Sequence, residues 1–168
     1  MLLPQQETDG RGFKMFFVND TIEARHAKIR TFLAKEPVIA VLLATADFEW
    51  TVRRAIAALG RNPTRYIHET LLKNVSGLER YREVWKREVG KRLAKDLSEV
   101  VPDWTSLKQE AFGLRHRLIH GAAGTVGISY ARVRVETILA ASRAIKEFAD
   151  ANSEPIYGRK IIRLNARG

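Results

Sequence analysis

The sequence predicts an all-α fold, an up-and-down bundle of helices. Apolar residues recur at helical three-and-four spacing along almost the whole chain, and no apolar–polar alternation persists long enough to mark a half-buried strand. The punctuation agrees: Pro37, Gly60, Pro63, Gly77, Pro102 and Gly121 fall where helices of this spacing would begin or stop.

Asn19 and Asp20, with Glu23 three residues after Asp20, form a capping-box pattern that opens a first helix reaching about Lys35, with Ile22, Ile29 and Leu33 inward. Pro37 suits the first turn of a longer second helix, and Gly60 supplies a left-handed end to it. Its buried stripe is Val41, Thr45, Phe48, Val52, Ile56 and Leu59. Asn62-Pro63 restarts the chain into a short helix with Ile67 and Leu71. Beyond the turn at Val75-Ser76-Gly77, the next helix carries Tyr81, Trp85, Val89 and Leu93, with Gly90 as its weak point. Pro102 stops that segment, Asp103 caps a helix running to His120, and Gly121 ends it. After the loop from Gly121 to Gly127, a last long helix runs to about Asn152, with Tyr130, Val133, Thr137, Ala141, Ala144 and Phe148 along one face. The chain thus divides into an N-terminal extension (1–18), one helical domain (19–153) and a basic tail (154–168), expected to be mobile or ordered against a partner.

Composition narrows the function. The 168 residues carry a net charge of +10, which favours a polyanionic partner, nucleic acid before membrane. Two clusters hold much of the excess: Arg80, Arg82, Lys86, Arg87, Lys91, Arg92 and Lys95 on one helix, and Arg159, Lys160, Arg163 and Arg167 in the tail. Arg80, Arg87, Lys91 and Lys95 are the candidates for a non-specific grip on phosphates, against the alternative of a solvated helix face. With no cysteine, disulfides, thiolate zinc sites, iron–sulfur clusters and cysteine nucleophiles are excluded, and the chain fits a reducing cytoplasm. The longest apolar run, Val38 to Ala46, is too short to span a membrane, and the first residues lack the layout of a signal peptide.

The segment Phe112-Gly-Leu-Arg-His-Arg-Leu-Ile-His-Gly121 carries the chemistry. On a helical wheel, Ala111, Leu114 and Leu118 fall within about 40° of Leu107 and form the core stripe. His116 and His120 then face away from the core, flanked by Arg115, Ile119 and Phe112. Two large apolar side chains on an outer face imply a helix–helix interface with a second copy, in which Phe112 and Ile119 pack. Two-fold symmetry would bring two copies of Arg115 and His120 together. Imidazoles and guanidiniums in a shared cleft suit attack by a ribose 2′-hydroxyl on its neighbouring phosphate. His120 would move protons, Arg115 would steady the phosphorane oxygens, and no metal would be required.

Arg115-His116-Arg117-Leu118-Ile119-His120 resembles the Arg-x4-His motif, with a polar residue after the arginine, of the HEPN superfamily of α-helical ribonucleases. Leu43 to Arg54 is similar to the first core helix of a bacterial HEPN subgroup, so the resemblance touches most of residues 37–150. It implies a HEPN-type bundle, a homodimer, and metal-independent endoribonuclease activity of the kind found in toxin–antitoxin and phage-defence systems. It also implies catalytic roles for Arg115 and His120, with His116 orienting or assisting. Glu49 falls in the buried arc of its helix and needs a cationic partner. Arg53 one turn on would make the pair structural, whereas Arg115 would make Glu49 a support of the catalytic guanidinium. A cytoplasmic ribonuclease of this size would need restraint, hence a cognate antitoxin or inhibitor protein.

Other readings compete. His116 and His120 have the spacing of a zinc pair, but Arg117 stands where a metalloprotease has glutamate, and the adjacent arginines oppose a dication. The loop from Gly121 to Gly127 follows a helix and lacks the lysine ending of a phosphate-binding loop. His26 lies among apolar residues as a core or boundary histidine, and His68 reads as a surface residue. Trp85 reads as core, while Trp50 and Trp104 could stack on bases. A catalytically silent HEPN-like module binding RNA or protein through the same cleft is the main alternative. A basic DNA-binding helix bundle is a third, resting on charge alone.

Overall fold

A computed structural model describes residues 20–167; the expected extension 1–18 and the capping residue Asn19 lie outside them. Among the described residues there are seven helices and no strand. These are α1 (Ile22–Thr31), α2 (Pro37–Leu59), α3 (64–71), α4 (78–93), α5 (Leu97–Val100), α6 (104–119) and α7 (Ile128–Ala151). Helices α2 and α7 run antiparallel through the middle, and α1, α3, α4 and α6 pack around α2. Small side chains are frequent in the buried parts of both helices, with Ala40, Ala44, Ala55 and Ala58 of α2 and Ala131, Ala141 and Ala149 of α7 all buried. No helix among the described residues is long and apolar enough to cross a membrane.

The α2 stripe is as expected, with Val41, Thr45, Phe48, Val52, Ile56 and Leu59 all buried. Three boundaries differ. Thr21, not Asp20, caps α1, its hydroxyl accepting from the Ala24 N–H at 3.2 Å, and that helix ends at Thr31. Gly60 ends α2 as expected, but in an extended conformation, φ −64°, rather than a left-handed one. Space is what requires glycine there: a Cβ would lie 2.5 Å from the Ile56 carbonyl oxygen and 2.8 Å from the Ile67 side chain. The segment after α4 forms its own short helix α5, capped by Asp96.

Three helices contain a wide π turn, closed by an N–H reaching back five residues rather than four. Leu72 bonds to Ile67 in α3, Lys91 to Lys86 in α4, and Phe112 to Leu107 in α6. Each turn shifts the faces that follow it. Leu72, rather than Leu71, becomes fully buried. Glu88 turns inward, where its carboxylate accepts from the backbone N–H groups of Arg61 and Asn62 at 3.1 and 3.0 Å and from the Asn62 amide at 2.7 Å. Phe112 comes to lie one turn above Leu107 and is only 8% exposed, its ring edge-on to Phe48 at 5.5 Å and 76°. Its expected place on the outer face with Ile119 is thereby corrected: Phe112 is core, while Ile119 is 50% exposed.

The α7 face is rotated from expectation. Ala131, Val135, Ile138, Ser142, Ile145 and Ala149 are buried, whereas Tyr130 and Val133 are 41% and 56% exposed; of the expected face, Ala141 is buried and Phe148 packs against the core. Two arginines hold the tyrosine at the surface: Arg134 lies over its ring at 3.6 Å, and Arg117 donates to its hydroxyl at 3.3 Å.

Much of the tail is packed against the bundle, although Ile162 and Leu164 remain exposed. The Arg163 N–H donates to the Thr64 side-chain hydroxyl at 2.9 Å, and the Arg163 carbonyl accepts from the Thr64 backbone N–H at 3.0 Å. Its guanidinium donates to the carbonyls of Ala57 and Ala58 at 3.1 and 3.0 Å and to that of Asn62. Those first two carbonyls belong to the last turn of α2, where the helix dipole and the unsatisfied acceptors both favour a cation. Arg159 and Arg167 pair with Glu154, and Arg54 holds the Ile156 and Arg159 carbonyls. Ile156 is fully buried.

Candidate active site

Helix α6 presents the motif. Arg115 is half-buried and His116 exposed, one turn past the π turn; His120 is exposed at the helix's C-terminal cap, its N–H bonded to the His116 carbonyl at 3.0 Å. Gly121 then takes φ +71°, a left-handed conformation that glycine adopts without strain and that turns the chain away from the histidines. The His116 and His120 rings lie 4.3 Å apart, tilted by 49°.

Arg115 and His116 line an open cleft of about 400 Å³ between α6 and the start of α4. Its other walls include Gly77, Glu79, Arg80, Lys108 and the edge of Phe112. Lys108 and Glu79 form an ion pair of 2.6 Å between the two helices. Neither Arg115 nor Arg80 has an acidic partner within ion-pair distance among the described residues. The cleft is therefore electropositive, with one of its three cations internally neutralised. His120 touches the cleft through His116 rather than lining it.

Glu49 meets neither expected partner. One of its carboxylate oxygens is buried without a hydrogen bond, and no ion pair joins it to Arg53 or Arg115. Arg53 is occupied elsewhere, donating to the Leu72 carbonyl at 2.9 Å and to the Val75 carbonyl and Tyr81 hydroxyl at 3.3 Å each. The Tyr81 phenol lies in the field of all three groups. Burial pushes its pKa up; the Arg53 hydrogen bond pulls down, Glu49 pushes further up, and the charges of Arg53 and Arg115 pull down, leaving a net rise. Glu49 thus stands electrostatically close to the motif without touching it.

Of the four candidate phosphate contacts, Arg80 alone lines the cleft; Arg87, Lys91 and Lys95 are exposed elsewhere along α4 and the turn after it. Two other members of that basic run are structural, Arg82 on Asp96 at 2.7 Å and Arg92 on the Leu59 carbonyl at 2.9 Å. Among the described residues no three His, Asp or Glu side chains are grouped as a metal-ligand set.

A second polar cluster escaped sequence reading. Arg25 and Asp47 are buried and bonded at 2.5 Å, and His26, fully buried, lies 3.3 Å from the same carboxylate. Trp50 does not offer its ring to a base: Arg25 lies over it at 3.9 Å and Arg54 at 4.8 Å. Asp47 inside an apolar run was the available signal, since a buried carboxylate requires a partner.

No protein-family model matches the chain, and neither a curated protein nor a solved structure matches it. The resemblance to HEPN ribonucleases rests on the sequence alone, on the motif in α6 and on Leu43 to Arg54 in α2.

Proposed function

We propose that this chain is a cytoplasmic, metal-independent endoribonuclease of the HEPN type. The carrying observation is that Arg115 and His116 line one open basic cleft, with the His120 ring tilted against that of His116. In this reading a ribose 2′-oxygen attacks the adjacent phosphorus as an imidazole takes its proton, and the 5′-oxygen leaves with a proton. The products are a 2′,3′-cyclic phosphate and a free 5′-hydroxyl. His120 moves protons, His116 orients or assists, and Arg115 stabilises the charge growing on the phosphoryl oxygens. The exposed side chains Ile119, Ile128, Tyr130 and Val133 near the motif support association with a second copy. A ribonuclease active in its own host also calls for a cognate inhibitor protein.

The test is incubation of the protein and its Arg115→Ala and His120→Ala variants with RNA and EDTA, followed by end mapping. Cyclic-phosphate ends that vanish in both variants support the proposal. Cleavage by His120→Ala at the parent rate would falsify it, and RNA binding without turnover would make the cleft a binding site only.

A further inference from the structure

The cleft holds one acidic side chain and three cations, and the arrangement of those charges is uneven. Glu79, on the first turn of α4, reaches across to Lys108 on the π turn of α6, so the ion pair spans the two walls. Both side chains remain about half exposed, at 48% and 50%. A pair so exposed to water is weak, and a phosphate can compete for the lysine. Arg80 and Arg115 have no such neutralisation, and two unpaired guanidiniums lining one cleft favour an anion between or beside them. Gly77 and Gly113 leave the walls open, with nothing within 4 Å of where a side chain would stand. The volume of about 400 Å³ lies in the range that takes a small organic ligand.

We infer that Arg80 forms a phosphate subsite for single-stranded RNA, holding a phosphate other than the one attacked, and that Glu79 limits this subsite by sequestering Lys108. The inference takes its ligand from the ribonuclease reading above. Glu79 acts here chiefly on Lys108, because Arg82 lies 4.0 Å from Glu79 and has a shorter bond of its own, 2.7 Å, to Asp96.

The experiment measures anisotropy of a fluorescein-labelled single-stranded RNA oligonucleotide over a salt series, in a His120→Ala background that keeps the RNA intact. Each phosphate contact on a single strand contributes about 0.7 to the slope of log affinity against log salt. Arg80→Ala should flatten the slope by about 0.7. Glu79→Gln should tighten binding and steepen the slope by about the same amount, and adding Lys108→Ala should cancel that gain. Equal slopes for Glu79→Gln and the background protein overturn the gating role, and an unchanged slope in Arg80→Ala overturns the subsite. If the slopes follow expectation while the parent protein never cleaves RNA, the ribonuclease reading falls and the subsite stands. If the parent cleaves and the slopes do not move, the reverse holds.

Discussion

His116 and His120 are joined twice: their rings lie 4.3 Å apart, and the His120 N–H bonds to the His116 carbonyl at 3.0 Å. Side chains in such contact act as a unit, and their substitutions couple. On the proposed activity, alanine at either position should lower the single-turnover cleavage rate by about 10²- to 10⁴-fold, the range of general acid–base catalysis. The double variant should fall well short of the product of the two losses. Multiplicative losses would mean that the rings work separately.

Phe112 and Ile119, seven residues apart on α6, should respond oppositely to substitution. Phe112 fills the core against Phe48, so Phe112→Ala should cost about 3–5 kcal/mol, the range for truncating a buried aromatic ring. At roughly 2–4 °C per kcal/mol for a chain of this size, the melting temperature should drop by about 6–20 °C. Ile119→Asp, at an exposed position, should stay within about 0.5 kcal/mol in the monomer. In sedimentation it should abolish the proposed dimer. Equal losses of melting temperature would contradict the core placement of Phe112.

Sequence periodicity was readable where the helix is uniform. The α2 stripe from Val41 to Leu59 follows from 3.6-residue spacing because α2 has no π turn. Phe112 was misplaced because a wheel advancing by a fixed angle from Leu107 cannot register the π turn between them. The motif's Arg115-to-His120 spacing survived because it begins after that turn. Long-range pairing is the other limit. Glu88 caps a loop 26 and 27 residues away, and Asp47 meets Arg25 22 residues away, partners that no local pattern reveals. The tail misled for a chemical reason, since an arginine that caps carbonyls and one that grips phosphate look alike in composition.

Arg163 separates those two roles. Its guanidinium serves the Ala57, Ala58 and Asn62 carbonyls, and hydrogen bonds from a charged donor are worth about 1.5–3 kcal/mol each before exposure discounts them. With the group partly solvated, Arg163→Ala should destabilise by about 2–3 kcal/mol in urea unfolding. Its affinity for RNA under native conditions should match the parent. Weakened RNA binding at unchanged stability would return the tail to a phosphate-gripping role.

Glu154 makes the tail's attachment depend on pH. Burial pushes its pKa up, but hydrogen bonds from Arg167 and Arg159 and the charges behind them pull it further down, for a net value below the ordinary one. A carboxylate depressed in the folded state stabilises it above the unfolded pKa, about 4.3 for glutamate. That contribution disappears as the pH falls through the lower folded value. Acid should therefore free the tail before it unfolds the α2–α7 pair, read as faster amide hydrogen exchange at the Arg163 and Arg167 N–H groups, which bond to Thr64 and Arg61. Glu154→Gln cannot lose a charge, so its melting temperature should start lower at neutral pH and decline less steeply between about pH 5 and pH 3. An equally steep decline in that variant would place the acid sensitivity in other carboxylates, such as Glu136 paired with Arg30 at 2.7 Å.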